Sequence, residues 1–236
     1  MSRRAWKIGL LAGAGLLAAL AVWELATWPD VAALAKANPQ STAFIARYQQ
    51  RQRRAGKSDA VAWRVVPYGA IARELKSAVV VAEDIDFFSH HGFATEEMKQ
   101  ALRDAWEDKE LPRGASTLTQ QLAKNLWLTP SYNPLRKVKE ALLTRALESQ
   151  LDKRRILELY LNVVEFGPGV YGAEAAARRY FGVSAAALDE QQAAALAGGL
   201  PKPSQWHPGS TSKVYLRRVQ RIVGRMQKAS WVYGEL

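Results

Sequence analysis

Residues 8–23 carry no charge, and this apolar run constrains the chain before any other feature does. Such a stretch has to be buried in protein, lie in lipid or be cleaved away. Arg3, Arg4 and Lys7 precede it, and Trp6 on one side and Trp23 and Trp28 on the other bracket it like interfacial anchors. The run is shorter than the ~20 residues that cross a bilayer, but counting on to Trp28, with Glu24 at the far interface, supplies the length. The pattern predicts a transmembrane anchor over residues 8–28, a cytoplasmic stretch over residues 1–7, and everything from residue 29 outside. Ala19-Leu20-Ala21 has the small-x-small form of a signal-peptide cleavage site. A retained anchor is the better reading, because the apolar segment continues past that site and ends in tryptophans.

Residues 29–60 read as a juxtamembrane connector with one short helix, and residues 61–236 as the folded domain. Residues 1–60 hold nine Lys/Arg against three acids, with Arg51, Arg53, Arg54 and Lys57 clustered after the apolar run. That basic cluster suits anionic lipid headgroups. Nucleic acid is excluded as a partner, since no helix-turn-helix, zinc-finger or aromatic-basic pattern accompanies the net charge of +11. The chain has no cysteine, and of its three histidines only His90 and His91 are near one another, so neither a thiolate nor the usual imidazole zinc site is available.

The chemistry-bearing residues begin at Ala82-Glu83-Asp84-Ile85-Asp86-Phe87-Phe88-Ser89-His90-His91-Gly92, directly behind the apolar run Ala78-Val79-Val80-Val81. Burial and two neighbouring acids would both raise the pKa of Glu83 toward that of a useful proton acceptor. A solvated acidic helix end is the plain alternative. Further on, Ser116-Thr117-Leu118-Thr119-Gln120-Gln121 reads as a loop feeding a helix, with Thr117 and Gln120 spaced as a capping box. Thr117, Gln121 and Lys124 then form a polar stripe beside the apolar Leu118, Leu122 and Ala123. Arg136 and Glu140 are four apart on one helical face, flanked by Lys137 and Lys139.

A strongly periodic helix over residues 153–162 runs into Phe166-Gly167-Pro168-Gly169-Val170-Tyr171-Gly172. Those glycines match a dinucleotide-binding fingerprint, but the segment before them is helical and the required strand-turn-helix context is missing. A glycine-rich turn between helices is the expectation. Alanine-rich helices follow, and the last helix, from about residue 213 to 230, carries Arg217, Arg218, Arg221, Arg225 and Lys228 as a basic face expected to be solvated or membrane-facing.

Taken in order, these segments resemble the glycosyltransferase domain that polymerises peptidoglycan from lipid II, the family 51 transglycosylases. The motifs that carry the resemblance are Glu83-Asp84 with Phe87, His90 and Gly92; Gly114 to Asn125; Arg136-Lys137 with Glu140; Lys153 through Asn162 to Gly182; and Ala195 to Pro203. Ala115 departs from the second glycine frequent in the family, and residues 126–135 carry no transferable ligand contact. The resemblance implies a mainly α, lysozyme-like fold in two lobes, here with an N-terminal transmembrane helix, in the monofunctional form of the Gram-negative inner membrane with its catalytic domain in the periplasm. It implies Glu83 as general base and Glu140 as a second catalytic acid that orients the neighbouring cations or helps a divalent ion. Ser116, Gln120, Gln121, Lys124, Arg136 and Lys137 would bind substrate, and Asp84, Phe87, His90, Gly92, Asn125 and Asn162 would support the site. No cofactor is obligatory; a divalent cation, Mg²⁺ or Mn²⁺, at the pyrophosphate is left open. The implied partners are lipid II, the growing lipid-linked strand, the membrane, and proteins of division or elongation. Two alternatives stand beside this reading: a lysozyme-like enzyme that cuts glycan, and a catalytically silent, membrane-anchored interaction domain.

Overall fold

The computed structural model describes residues 26–94, 116–129 and 134–236, together with 15, 19 and 22–24, and the chain divides into two units, 1–31 and 32–236. In the first unit the described residues include a helical turn ending at Thr27, whose N–H and hydroxyl both donate to the Trp23 carbonyl at 3.0 and 2.7 Å. Among the described residues no helix is long and apolar enough to cross a membrane. Most of the expected anchor over 8–28 lies outside the described residues.

The second unit begins at Ala32. Helix α1 (Ala43–Arg54) is capped by the Thr42 hydroxyl and buries Ile45. Arg155 holds the segment leading into α1, a short 3-10 helix (Ala32–Ala35) and the residues after it, by donating to the carbonyls of Leu34 and Ala37.

Helix α2 (Arg73–Glu83) contains three consecutive valines, which favour strands intrinsically. It is helical because Leu75, Ala78, Val79 and Val80 are all fully buried, and tertiary packing outweighs propensity. Its main partners are α7 (Glu190–Gly199) and α8 (Lys213–Lys228). The small residues Ala193, Ala194, Ala197 and Gly198 let α7 approach both neighbours closely; a Cβ on Gly198 would stand 2.9 Å from Val219 Cγ2. Helices α3 (Leu118–Trp127), α4 (Pro134–Gln150) and α5 (Lys153–Val163) pack together as a second group, with α1 against α3.

The glycine-rich stretch is not a bare turn. Strands β2 (Glu165–Gly167) and β3 (Val170–Tyr171) form a bulged hairpin, and β1 (Ala62–Trp63) adds to it in parallel, giving the order β1-β3-β2. Helix α6 (Ala173–Phe181) follows, ended by Gly182 in the left-handed conformation. Asn162, at the end of α5, clamps residue 66 to that helix: its side chain accepts from the Val66 N–H and donates to the Val66 carbonyl, each at 2.9 Å. Gly172 has φ +80°, and a Cβ there would lie 2.6 Å from the Asn162 carbonyl oxygen, so the hairpin closes onto α5 only with glycine.

Candidate active site

Glu83 and Asp84 are adjacent in sequence but end up at opposite electrical positions. Glu83 is the last residue of α2, where the helix dipole is negative and disfavours a carboxylate. Asp84 turns to the start of α3, where its Oδ2 accepts the Leu118 N–H at 2.8 Å and its Oδ1 takes a hydrogen bond from His90 Nε2 at 2.9 Å. His90 Nδ1 accepts the Gly92 N–H at 3.1 Å, which fixes the tautomer protonated on Nε2. The Gly92 carbonyl accepts the Thr117 hydroxyl at 2.7 Å, so the loop after α2 is sewn onto the start of α3. Gly92 is required there: its φ is +88°, and a Cβ would meet Thr144 Cγ2 at 2.8 Å. Asp84 is also buried, its side chain 1% exposed, so it serves the fold at the start of α3. Asp86 is exposed, and Phe87 is fully buried with the Lys153 ammonium 4.6 Å from its ring centre.

Glu83 is held from two other elements. Its Oε2 accepts Gln121 Nε2 at 3.1 Å, and its Oε1 accepts an Arg218 guanidinium N–H at 2.6 Å. The buried Tyr160 hydroxyl donates to Gln121 Oε1 at 2.9 Å, and this orients the amide so that its NH₂ faces Glu83. Burial pushes the Glu83 carboxyl above its ordinary range, while Gln121, Arg218 and Lys124 pull it back. The neighbouring acids are not among the main causes, contrary to the sequence expectation, because Asp84 faces α3. The side chain retains 12% exposure, enough for approach from one side.

Lys124 stands one helical turn beyond Gln121 on α3, as the polar stripe predicts. Burial lowers its pKa, and it feels the charges of Glu140, Lys137, Arg136 and Glu83. It therefore lies within electrostatic reach of both Glu83 and the second cluster. There the buried Glu140 carboxylate takes Arg136 at 2.8 Å on one oxygen and Lys137 on the other. The spacing of four reads correctly as an ion pair, but the acid is buried, not solvated.

The remaining expected residues divide by role. Thr117 and Gln120 close the capping box, with the Thr117 hydroxyl accepting the Gln120 N–H and Gln120 Oε1 accepting the Thr117 N–H. This engages the Gln120 carbonyl in the fold. Asn125 donates to the Gln121 carbonyl at 2.8 Å and steadies that turn of α3. The Ser116 carbonyl receives a long 3.4 Å contact from Gln121 Nε2. Asn162 is the clamp on residue 66 described above, away from Glu83. Gly114 and Ala115 lie outside the described residues.

Arg218 and Arg225 correct the reading of α8 as a wholly solvent- or membrane-facing basic helix. Arg217, Arg221, Arg225 and Lys228 are exposed, although Arg225 also donates to the Val81 carbonyl at 3.3 Å near the end of α2, while the half-buried Arg218 pairs with Glu83. The signal was faint: Arg218 immediately precedes Val219, at the edge of the buried stripe of Tyr215, Val219 and Ile222.

A mostly buried carboxylate of raised pKa, facing a bank of fixed lysine and arginine, defines a mainly helical group-transfer enzyme that handles anionic species. The chain belongs to the transglycosylase family, whose model matches residues 34–227. It is 41% identical over 193 residues to a biosynthetic peptidoglycan transglycosylase of Nitrosospira multiformis, covering 82% of this chain and 84% of that one. Proteins of the same description from Thiobacillus denitrificans and Azoarcus sp. are 42% and 43% identical, covering 89% and 91% of this chain and 92% and 94% of theirs.

Proposed function

We propose that this enzyme extends peptidoglycan glycan strands by inverting glycosyl transfer from lipid II. In this reading Glu83 accepts the proton of the acceptor sugar's C4 hydroxyl as that oxygen attacks C1 of the donor. The C1–O bond to undecaprenyl pyrophosphate breaks, and a β-1,4 link forms. Lys124, Arg136 and Lys137 neutralise the charge that develops on the pyrophosphate, which is the largest electrostatic demand of such a step. Glu140 holds Arg136 and Lys137 in place. The observation that carries the reading is the position of Glu83, gripped by Gln121 and Arg218, with Lys124 within electrostatic reach of both it and Glu140.

A divalent cation at Glu140 does not fit this arrangement. Both of its oxygens already take cationic side chains, and among the described residues no three His, Asp or Glu side chains gather to hold a metal. The reading includes an inner-membrane anchor over residues 8–28 with the catalytic domain, lysozyme-like and two-lobed, on the periplasmic side, because a lipid-linked donor lies in the same bilayer. A glycan-cleaving enzyme would also use a glutamate in a cleft, but it has no need of the cation bank. Incubation of the purified enzyme with lipid II and, separately, with finished glycan decides between them. Polymer from the former supports the proposal; fragments from the latter and no polymer refute it.

A further inference from the structure

The hydroxyl of Tyr160 is a polar group that packing alone does not call for. Tyr160 is fully buried on α5, and so are Leu157, Leu159, Leu161 and Val163 around it in sequence. Phenylalanine would fill the same space, and a phenol in such surroundings is costly unless its hydroxyl finds a partner. It finds one on another helix, donating to Gln121 Oε1 of α3 at 2.9 Å. The same amide presents Nε2 to Glu83 Oε2 at 3.1 Å and, more weakly, to the Ser116 carbonyl at 3.4 Å. Turned over, the amide would aim its oxygen at a carboxylate and a carbonyl. Burial pushes the Tyr160 phenol well above its ordinary range, and the charges of Glu83 and Asp84 add to this against the pull of Arg218. The phenol therefore stays a neutral donor throughout the range in which carboxylates titrate. Of the groups that draw Glu83 back from the effect of burial, Gln121 acts most strongly, ahead of the charges of Arg218 and Lys124.

We propose that Tyr160 is a positioning residue for the base: through the Gln121 amide it keeps an N–H donor turned toward Glu83 and so holds that carboxylate ready to take the acceptor's proton. This rests on Glu83 being the base, as proposed above. Without the hydroxyl, Gln121 Oε1 faces a ring that offers it no donor, and an unpaired polar group gains by rotating toward another partner. Rotation takes the amide N–H away from Glu83. A hydrogen bond to the charged form favours that form, so its loss moves Glu83 toward the protonated state, in the same direction as burial. Arg218 from α8 and Lys124 from α3 still face the carboxylate. Removal of the hydroxyl therefore weakens the base in a pH-dependent way and does not abolish it.

The test follows polymerisation of labelled lipid II by the full chain across pH for wild type, Tyr160→Phe, Gln121→Leu and the double variant, with a thermal melt of each. In Tyr160→Phe the acid limb of kcat/KM should move up by about 0.5–1 pH unit, a loss of about 3–10-fold below the limb that disappears above it. The position of the limb does not depend on how much enzyme is folded, so a lower yield or melting temperature leaves the reading intact. In the Gln121→Leu background the same substitution should shift the limb no further, because the hydroxyl acts through that amide. Tyr215→Phe is the matched control: its buried ring also carries a hydroxyl bonded at 2.9 Å, to the Ala195 carbonyl across α8 and α7. Its loss should lower melting comparably and leave the limb in place. An unmoved limb in Tyr160→Phe, a limb at lower pH, an equal shift with and without Gln121, or an equal shift in Tyr215→Phe would each overturn the inference. Glu83→Gln tells the two readings apart. Near-normal synthesis by that variant removes the base itself, whereas its inactivity together with an unmoved limb in Tyr160→Phe removes only the role given to Tyr160.

Discussion

Replacing Arg218 by Gln removes the closest cation from Glu83 while keeping a hydrogen-bond donor of similar reach. The pair is 2.6 Å apart, with 24% and 12% of the two side chains exposed. Charges about 4 Å apart at the effective dielectric of a partly buried site interact by ~4 kcal/mol before desolvation is counted. Arg218 is partly solvated, and Lys124 and Gln121 remain after its removal, so a net loss of about 1–2 kcal/mol is the reasonable expectation, a factor of roughly 5–30. The sign follows from which form each group favours. Burial raises the Glu83 pKa and Arg218 lowers it, so without Arg218 the carboxyl keeps its proton to higher pH. The acid limb of the kcat/KM profile on lipid II should therefore move to higher pH in Arg218→Gln, and the loss should shrink as the pH rises. Arg218→Lys should recover part of the shift. Melting should change little, because Glu83 can take a proton once its partner is gone. The measurement is continuous polymerisation of labelled lipid II across pH, alongside thermal melts. An acid limb that stays put, moves to lower pH, or shows a loss independent of pH would refute the reasoning.

Other changes test separate parts of the site. Glu83→Gln should lower kcat by roughly 10²–10⁴, the usual worth of a general base, with an unchanged circular dichroism spectrum; near-normal synthesis by this variant would remove Glu83 from the mechanism. Gly172→Ala should cost roughly 2–4 kcal/mol, from its positive φ and the Asn162 carbonyl in its way, seen as a fall in Tm of roughly 5–15 °C. Asn162→Ala leaves both the Val66 N–H and carbonyl without their side-chain partner and should cost about 2–4 kcal/mol in urea unfolding. Thr117→Ala removes both the α3 cap and the tie to the Gly92 carbonyl; a loss of about 1–3 kcal/mol is expected, with a larger fall in activity than Asn162→Ala produces, because the loop it releases leads back to Glu83.

Much of the local structure was legible in the residues alone. The Thr117–Gln120 box, the Arg136–Glu140 spacing, the stripe joining Gln121 to Lys124 and the helices over the alanine-rich stretches all depend on interactions within one or two turns, which sequence spacing encodes directly. The family resemblance was legible for the same reason, as an ordered series of short motifs. Contacts between distant segments were not. Nothing near residue 83 announces a cation 135 residues away, and the boundary of an apolar stripe does not say whether its polar neighbour meets water or another element. By residue type alone Glu83 and Asp84 are two neighbouring acids, told apart in the sequence only by the family resemblance. Only the packing of α2, α3 and α8 decided that one would close the start of a helix and the other would be left, buried and gripped, at the end of one. The difference is electrostatic, set by which dipoles and charges surround each carboxylate, and those are properties of the assembled fold.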